Sequence, residues 1–191
     1  MQLSNQHRVL FFRIMYNLIW GINENRLFVP RYQKPGRDAK KTTPPMAILE
    51  VNEAMWDDPT LIEEYLADKN IQIPDEEREI VDGWNRRHIK ASFMVVDHLP
   101  KYSVFMKMDT PPLLYGVLGL SDPISKMYPF AKQFLTKATL LPLKGQIVTD
   151  GILKADQTEF NQETKEDIEK LYRMGLKSRG VIERLDDDLL A

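Results

Sequence analysis

The chain contains no cysteine. It therefore cannot form a Cys-ligated zinc site, an iron–sulfur cluster or a thiol nucleophile, and no disulfide supports its fold. It also lacks an excess of charge of either sign. Lys and Arg total 26 against 28 Asp and Glu, a formal net charge of -2. Dedicated nucleic-acid domains usually carry a large positive balance, so composition alone does not point to a polyanion. Nine glycines in 191 residues exclude a collagen-like or glycine-rich chain. Long apolar runs are missing too. The longest, Val9–Trp20, falls short of the roughly 20 apolar residues a membrane span needs, and Arg13 and Asn17 interrupt it. Arg13 also spoils it as a signal peptide, and Gly21-Ile22-Asn23 is a poor cleavage site. These absences lead to the expectation of a cytoplasmic protein with no membrane role.

What is present is uneven charge. Arg26–Lys41 holds six basic residues and one acid. Glu50–Asp82 holds twelve acids against Lys69 and Arg78. Ile89–Lys154 holds eight lysines and four aspartates. Acidic helices beside a mildly basic sheet would explain this pattern through reduced self-repulsion. A basic surface for nucleic acid is the sharper alternative.

Periodicity predicts a first helix from about Ser4 to Ile22, with Arg13 and Asn17 on a narrow polar stripe and the rest packed. Pro30, Pro35-Gly36 and Pro44-Pro45 mark 26–45 as a loop. Three helices follow, over Met46–Trp56, after Asp58-Pro59, and from Pro74 to about Arg87. The character changes at Ile89. Strands are expected at 89–98, 102–108, 113–120, 133–143 and 146–153, with a short helix from Asp122-Pro123 to about Phe130. Short connections predict antiparallel neighbours. A last helix spans about Asn161–Ser178, with Ile168, Leu171, Tyr172 and Leu176 inward and Gly180 as its stop. The strands alternate little, so either helices cover the second sheet face or the sheet curls into a barrel. The expected fold is α+β: a helical region 1–88 on a curved five-stranded antiparallel sheet with a C-terminal helix, 89–191, sharing one core.

Three blocks then stand out in order: Phe93-Met94-Val95-Val96-Asp97-His98-Leu99-Pro100-Lys101-Tyr102, Tyr115-Gly116-Val117-Leu118-Gly119-Leu120-Ser121-Asp122, and Leu140 to Leu153. With these blocks the chain resembles a bacterial family of uncharacterised proteins, some of which carry a C-terminal SEC-C zinc-binding motif. This cysteine-free chain lacks that motif. It departs from the family pattern at Leu143, Gln146 and Thr149, where Phe, Lys and Tyr are commoner. The resemblance implies no catalytic residue.

Candidate chemistry is sparse. Asp97-His98 is a close acid–histidine pair, but adjacent strand residues face opposite sides. Asp122 before Pro123 reads first as a helix cap. Asp150-Gly151 reads as a bulge beside a ligand or as a structural bend. Lys144-Gly145 fits a hairpin turn. Asp97, His98, Asp122, Lys144 and Asp150 are thus candidate ligand- or partner-binding residues. Gly116, Gly119, Pro142, Gly145 and Gly151 are candidate structural positions. No metal ligand set and no cofactor motif emerges, since His7, His88 and His98 share no ligand spacing. Trp20, Trp56 and Trp84 read as helix core anchors. The functional expectation is a non-enzymatic binding or adaptor module with a protein partner. Nucleic-acid binding through a small barrel and the basic 26–41 loop is the first alternative. An enzyme built from Asp97, Asp122 or Asp150 is the second.

Overall fold

The computed structural model describes residues 1–26, 28, 45–129, 133–156 and 159–185. The basic loop 26–41 falls almost wholly outside them. The chain forms two compact units, Val9–Arg86 and Met1–Arg8 with Arg87–Ala191.

The helical unit contains α1 (Asn5–Arg26), α2 (Pro45–Asp57), α3 (Thr60–Ala67) and α4 (Asp75–Arg87). Its core comprises Phe11, Ile14, Leu18, Val51, Met55, Ile62 and Trp84. The Phe11 and Trp84 rings lie 5.4 Å apart. Trp20 and Trp56 are buried as well. Helix α3 starts one residue later than expected, with Pro59 at the cap position. Asp58 still does the capping chemistry, because its Oδ1 accepts from Thr60 N at 3.1 Å and Thr60 Oγ1 at 2.6 Å. Asp75, Glu76 and Glu77 occupy the first turn of α4, where the helix dipole favours acids.

The second unit is built on β1 (Ile89–His98), β2 (Ser103–Lys107), β3 (Leu113–Leu118), α5 (Ile124–Met127), β4 (Phe134–Leu143), β5 (Gln146–Thr149), β6 (Lys154–Asp156), α6 (Gln162–Ser178) and β7 (Val181–Ile182). The expected five-stranded antiparallel sheet is corrected here. The sheet has seven strands in the order β1-β2-β3-β5-β4-β6, with β7 on β3. Pairing of β1 with β4 closes the first five into a barrel. The β3–β5 and β3–β7 pairings are parallel. The connection through α5 is the reason. It frees β4 to cross to β1, and β5, turned back on β4, then meets β3 in parallel. Around the closed circuit the registers accumulate a stagger of about ten residues, as a tilted barrel requires.

Both explanations offered for the poor strand alternation hold. Phe93, Val95, Phe105, Tyr115, Val117, Phe134, Leu140 and Ile147 fill the barrel. Met94, Val96, Val104, Met106 and Leu114 point outward and meet Ile168, Leu171 and Tyr172 of α6. Burying Ile168 alone is worth about 1.5–3 kcal/mol. The helix begins as expected, with Asn161 Oδ1 accepting from Thr164 N at 2.8 Å. It ends at Ser178, and Gly180, with φ 70°, follows the cap residue Arg179 as the expected stop. Leu176, expected inward, is exposed. Gly175 takes the closest approach to the sheet instead, since a Cβ there would lie 2.9 Å from Leu114 Cγ.

Candidate functional site

The structure distributes the predicted residues over turns. Because β1, β3 and β5 run in the same direction, Asp97-His98, Asp122 and Asp150 all follow or end strands at one end of the barrel. Each carboxylate is engaged locally there. Asp97 Oδ1 accepts from His98 N at 2.9 Å, at the point where the β1–β2 register shifts. His98 Nδ1 lies 2.8 Å from Ser103 Oγ across the hairpin. Asp122 is exposed and pairs with Lys126 at 3.2 Å. The cap reading of Asp122 is corrected, because Pro123 is the cap residue of α5 and makes no side-chain cap bond. That helix also stops at Met127, short of Phe130.

Asp150 is buried, and its Oδ1 accepts from Ile152 N at 3.0 Å. Its backbone N donates to Thr139 O at 3.0 Å, and Gly151 has φ 94°. Asp150-Gly151 is therefore a side-chain-stabilised turn between β5 and β6, which corrects both the bulge and the single strand over 146–153. Lys144 and Gly145, with φ of 49° and 72°, form the expected two-residue hairpin turn. Gly116 accommodates the Tyr102 ring, and Gly119 accommodates the Asp122 carbonyl. Pro142 pairs with Ile147 beyond the end of the β1 ladder, an edge position where proline is tolerated.

The segment after α6 ties these turns down. Lys101 forms an ion pair with Glu183, and Tyr102 donates a hydrogen bond to the same carboxylate. The hydrogen bond that Lys101 donates to Glu183 is the chief cause holding that carboxyl below its ordinary value. Burial, followed by Glu183, pushes the Tyr102 phenol up. At the other hairpin, Arg184 Nε lies 3.7 Å from the position a Gly145 Cβ would take.

Two features were missed by sequence reasoning. The first is on α1. Val9, Phe12 and Tyr16 are 56%, 47% and 39% exposed, although the run was expected to pack apart from Arg13 and Asn17. Their spacing places them on one face of the helix. Phe12 meets Phe11 edge-on at 5.4 Å, and Tyr16 meets Trp20 at 5.9 Å. The same face runs into a cleft of about 430 Å³ lined by Asn17, Trp20, Glu24, Tyr65, Gln72 and Glu77, among others. Gly21 lets the Tyr65 ring pack directly on α1 at the wall of this cleft, because any Cβ there would collide with the ring. Glu77 is buried and pairs with Arg13 at 2.8 Å. Burial first, then the Glu77 charge, raises the Tyr65 phenol above its ordinary value.

The second feature is a row of exposed lysines on the barrel. Lys137 stands directly opposite Lys154 across β4–β6, and Lys90 lies on the neighbouring strand of the same outer face. Such a row depends on register, which residue spacing alone does not give.

No family model, curated protein or solved structure matches the chain. Roles must come from its own geometry. Among the described residues no helix is long and apolar enough to cross a membrane. Among them also, no three of His, Asp and Glu gather as metal ligands would.

Proposed function

We propose that the protein is a non-enzymatic binding or adaptor module, and that α1 of the helical unit receives its protein partner. The observation that carries this reading is the exposed Val9–Phe12–Tyr16 face running into the 430 Å³ cleft. Aromatic and aliphatic residues at helical spacing are the anchors used in helix-to-groove recognition, and solvated helices rarely keep three of them in a row without a use. The candidate carboxylates support the same reading, since Asp97 bonds its neighbour at a strand irregularity, Asp150 holds a turn and Asp122 pairs with lysine. The bacterial family resemblance and a cytoplasmic location are part of this proposal, the location resting on the cysteine-free composition.

The test is a photo-crosslinking amino acid at Phe12, with exposed Lys177 of α6 as a control position. The expected result is a discrete adduct with one protein at position 12, lost in a Tyr16→Ser background. Equal labelling at both positions would overturn the reading. Phe12→Ser and Tyr16→Ser should each cost about 1 kcal/mol, because each removes one edge contact of a half-exposed ring and leaves the buried core of the helical unit intact.

A second reading is nucleic-acid binding. Its support is the five-stranded barrel order, which is that of the oligonucleotide- and oligosaccharide-binding barrel, and the Lys90, Lys137 and Lys154 row. The register sets two of these positive charges directly opposite each other, a placement that suits an anionic partner. Such barrels bind over strands 2 and 3, however, and here α6 covers that face. Binding would therefore fall on the lysine row. Its affinity for mixed single-stranded oligonucleotides should drop steeply with salt, and Lys137→Glu should abolish it. No retention of oligonucleotide at low salt would end this reading.

A further inference from the structure

We propose that the cleft at α1 is a receptor for one cationic side chain, lysine or arginine, of the partner polypeptide. This rests on the reading of α1 as the partner surface and adds the chemistry of what enters. The cleft lies within the helical unit, and its volume of about 430 Å³ is in the range of small-ligand sites. Its lining combines aromatic and aliphatic groups, Trp20, Tyr65 and Ile73, with the amides of Asn17 and Gln72. Among the described residues, the charged groups lining it are Glu24 and Glu77. Glu24 makes no ion pair among the described residues, whereas Glu77 shares its charge with Arg13.

Charge complementarity selects the occupant. An anion would face two carboxylates, and a purely apolar side chain would strip water from the amides without replacing their hydrogen bonds. A cation on an aliphatic stem meets each need. The stem lies against Ile73 and the aromatic edges, the charge is attracted by Glu24, and the amide oxygens accept its N–H groups. The Val9–Phe12–Tyr16 face then takes apolar residues neighbouring that cation in the partner. The expected recognition element is therefore an apolar segment next to Lys or Arg.

The experiment uses the full chain and small probes. n-Butylguanidinium and n-butylammonium are titrated against n-butanol and butyrate, following the Trp20 indole and Gly21 amide resonances by NMR. The expected result is a saturable shift with the cations only, weakened about fivefold in Glu24→Gln, as loss of one exposed charge contact predicts. The stronger of the two cations identifies arginine or lysine. Equal shifts with cations and n-butanol, no saturable shift, or unchanged affinity in Glu24→Gln would each overturn the proposal. Glu24 is exposed, so the variant keeps its fold. A discrete Phe12 crosslink combined with failure here would leave the adaptor reading standing and remove only the cationic occupant.

Discussion

A Cβ at Gly175 would lie 2.9 Å from Leu114 Cγ and 3.0 Å from the Pro112 carbonyl. The carbonyl belongs to backbone and cannot rotate away, so a larger side chain must lift α6 from β3. Gly175→Leu is expected to cost about 2–3 kcal/mol in urea unfolding, while Leu176→Ala on the exposed side changes stability by less than about 0.5 kcal/mol. Asp150 gives a second residue-scale test. Asp150→Ala removes the acceptor for Ile152 N and should cost about 1–3 kcal/mol, whereas Asp150→Asn keeps an acceptor oxygen and should cost less. Equal losses in the two variants would show that the charge, not the turn bond, is what matters. Asp150-Gly151 was legible in the sequence as a special position. Whether it was a bulge or a turn was not, because that depends on where the β4–β5 ladder stops.

Local signals at the scale of elements were strong. Caps, prolines and turn glycines located most helices and strands to within a few residues. Topology was less legible, because the crossing of β4 to β1 is decided by barrel closure and not by any residue near the connection. The same limit hid the α1 site. Val9–Trp20 is apolar on several sides, and which side stays open depends on what packs against it. Glu183 supplies a test of how elements are tied together. Its carboxyl is held below its ordinary value of 4.5 by Lys101, so the stabilisation is present above that value. It is lost as pH falls through the lowered value. Urea midpoints measured between about pH 6 and about pH 3 should include a small acid-side loss that Lys101→Ala abolishes. An identical pH slope in Lys101→Ala would mean that the ion pair does not hold the β1–β2 turn to the segment after β7.

Tyrosine burial gives a prediction for the whole molecule. Among the described residues, Tyr65, Tyr102, Tyr115, Tyr128 and Tyr172 are raised above their ordinary value of 10.0, each chiefly by burial. They lie in both units: Tyr65 on α3, the others in or around the barrel. For an acid whose folded value is raised, the neutral form is favoured in the native state. The associated stability is complete below the unfolded value and disappears as pH rises through the folded values. Several such groups act together, because ionising any one of them requires a charge to be buried or its surroundings to open. Tyrosinate absorbance should therefore lag at pH 10 and then rise steeply, in step with the loss of circular dichroism. Tyr65→Phe should move that unfolding to higher pH, since it removes one group that must ionise in the unfolded chain. A gradual absorbance rise centred at pH 10 with circular dichroism unchanged would contradict the packing of these rings in the barrel and the helical unit alike.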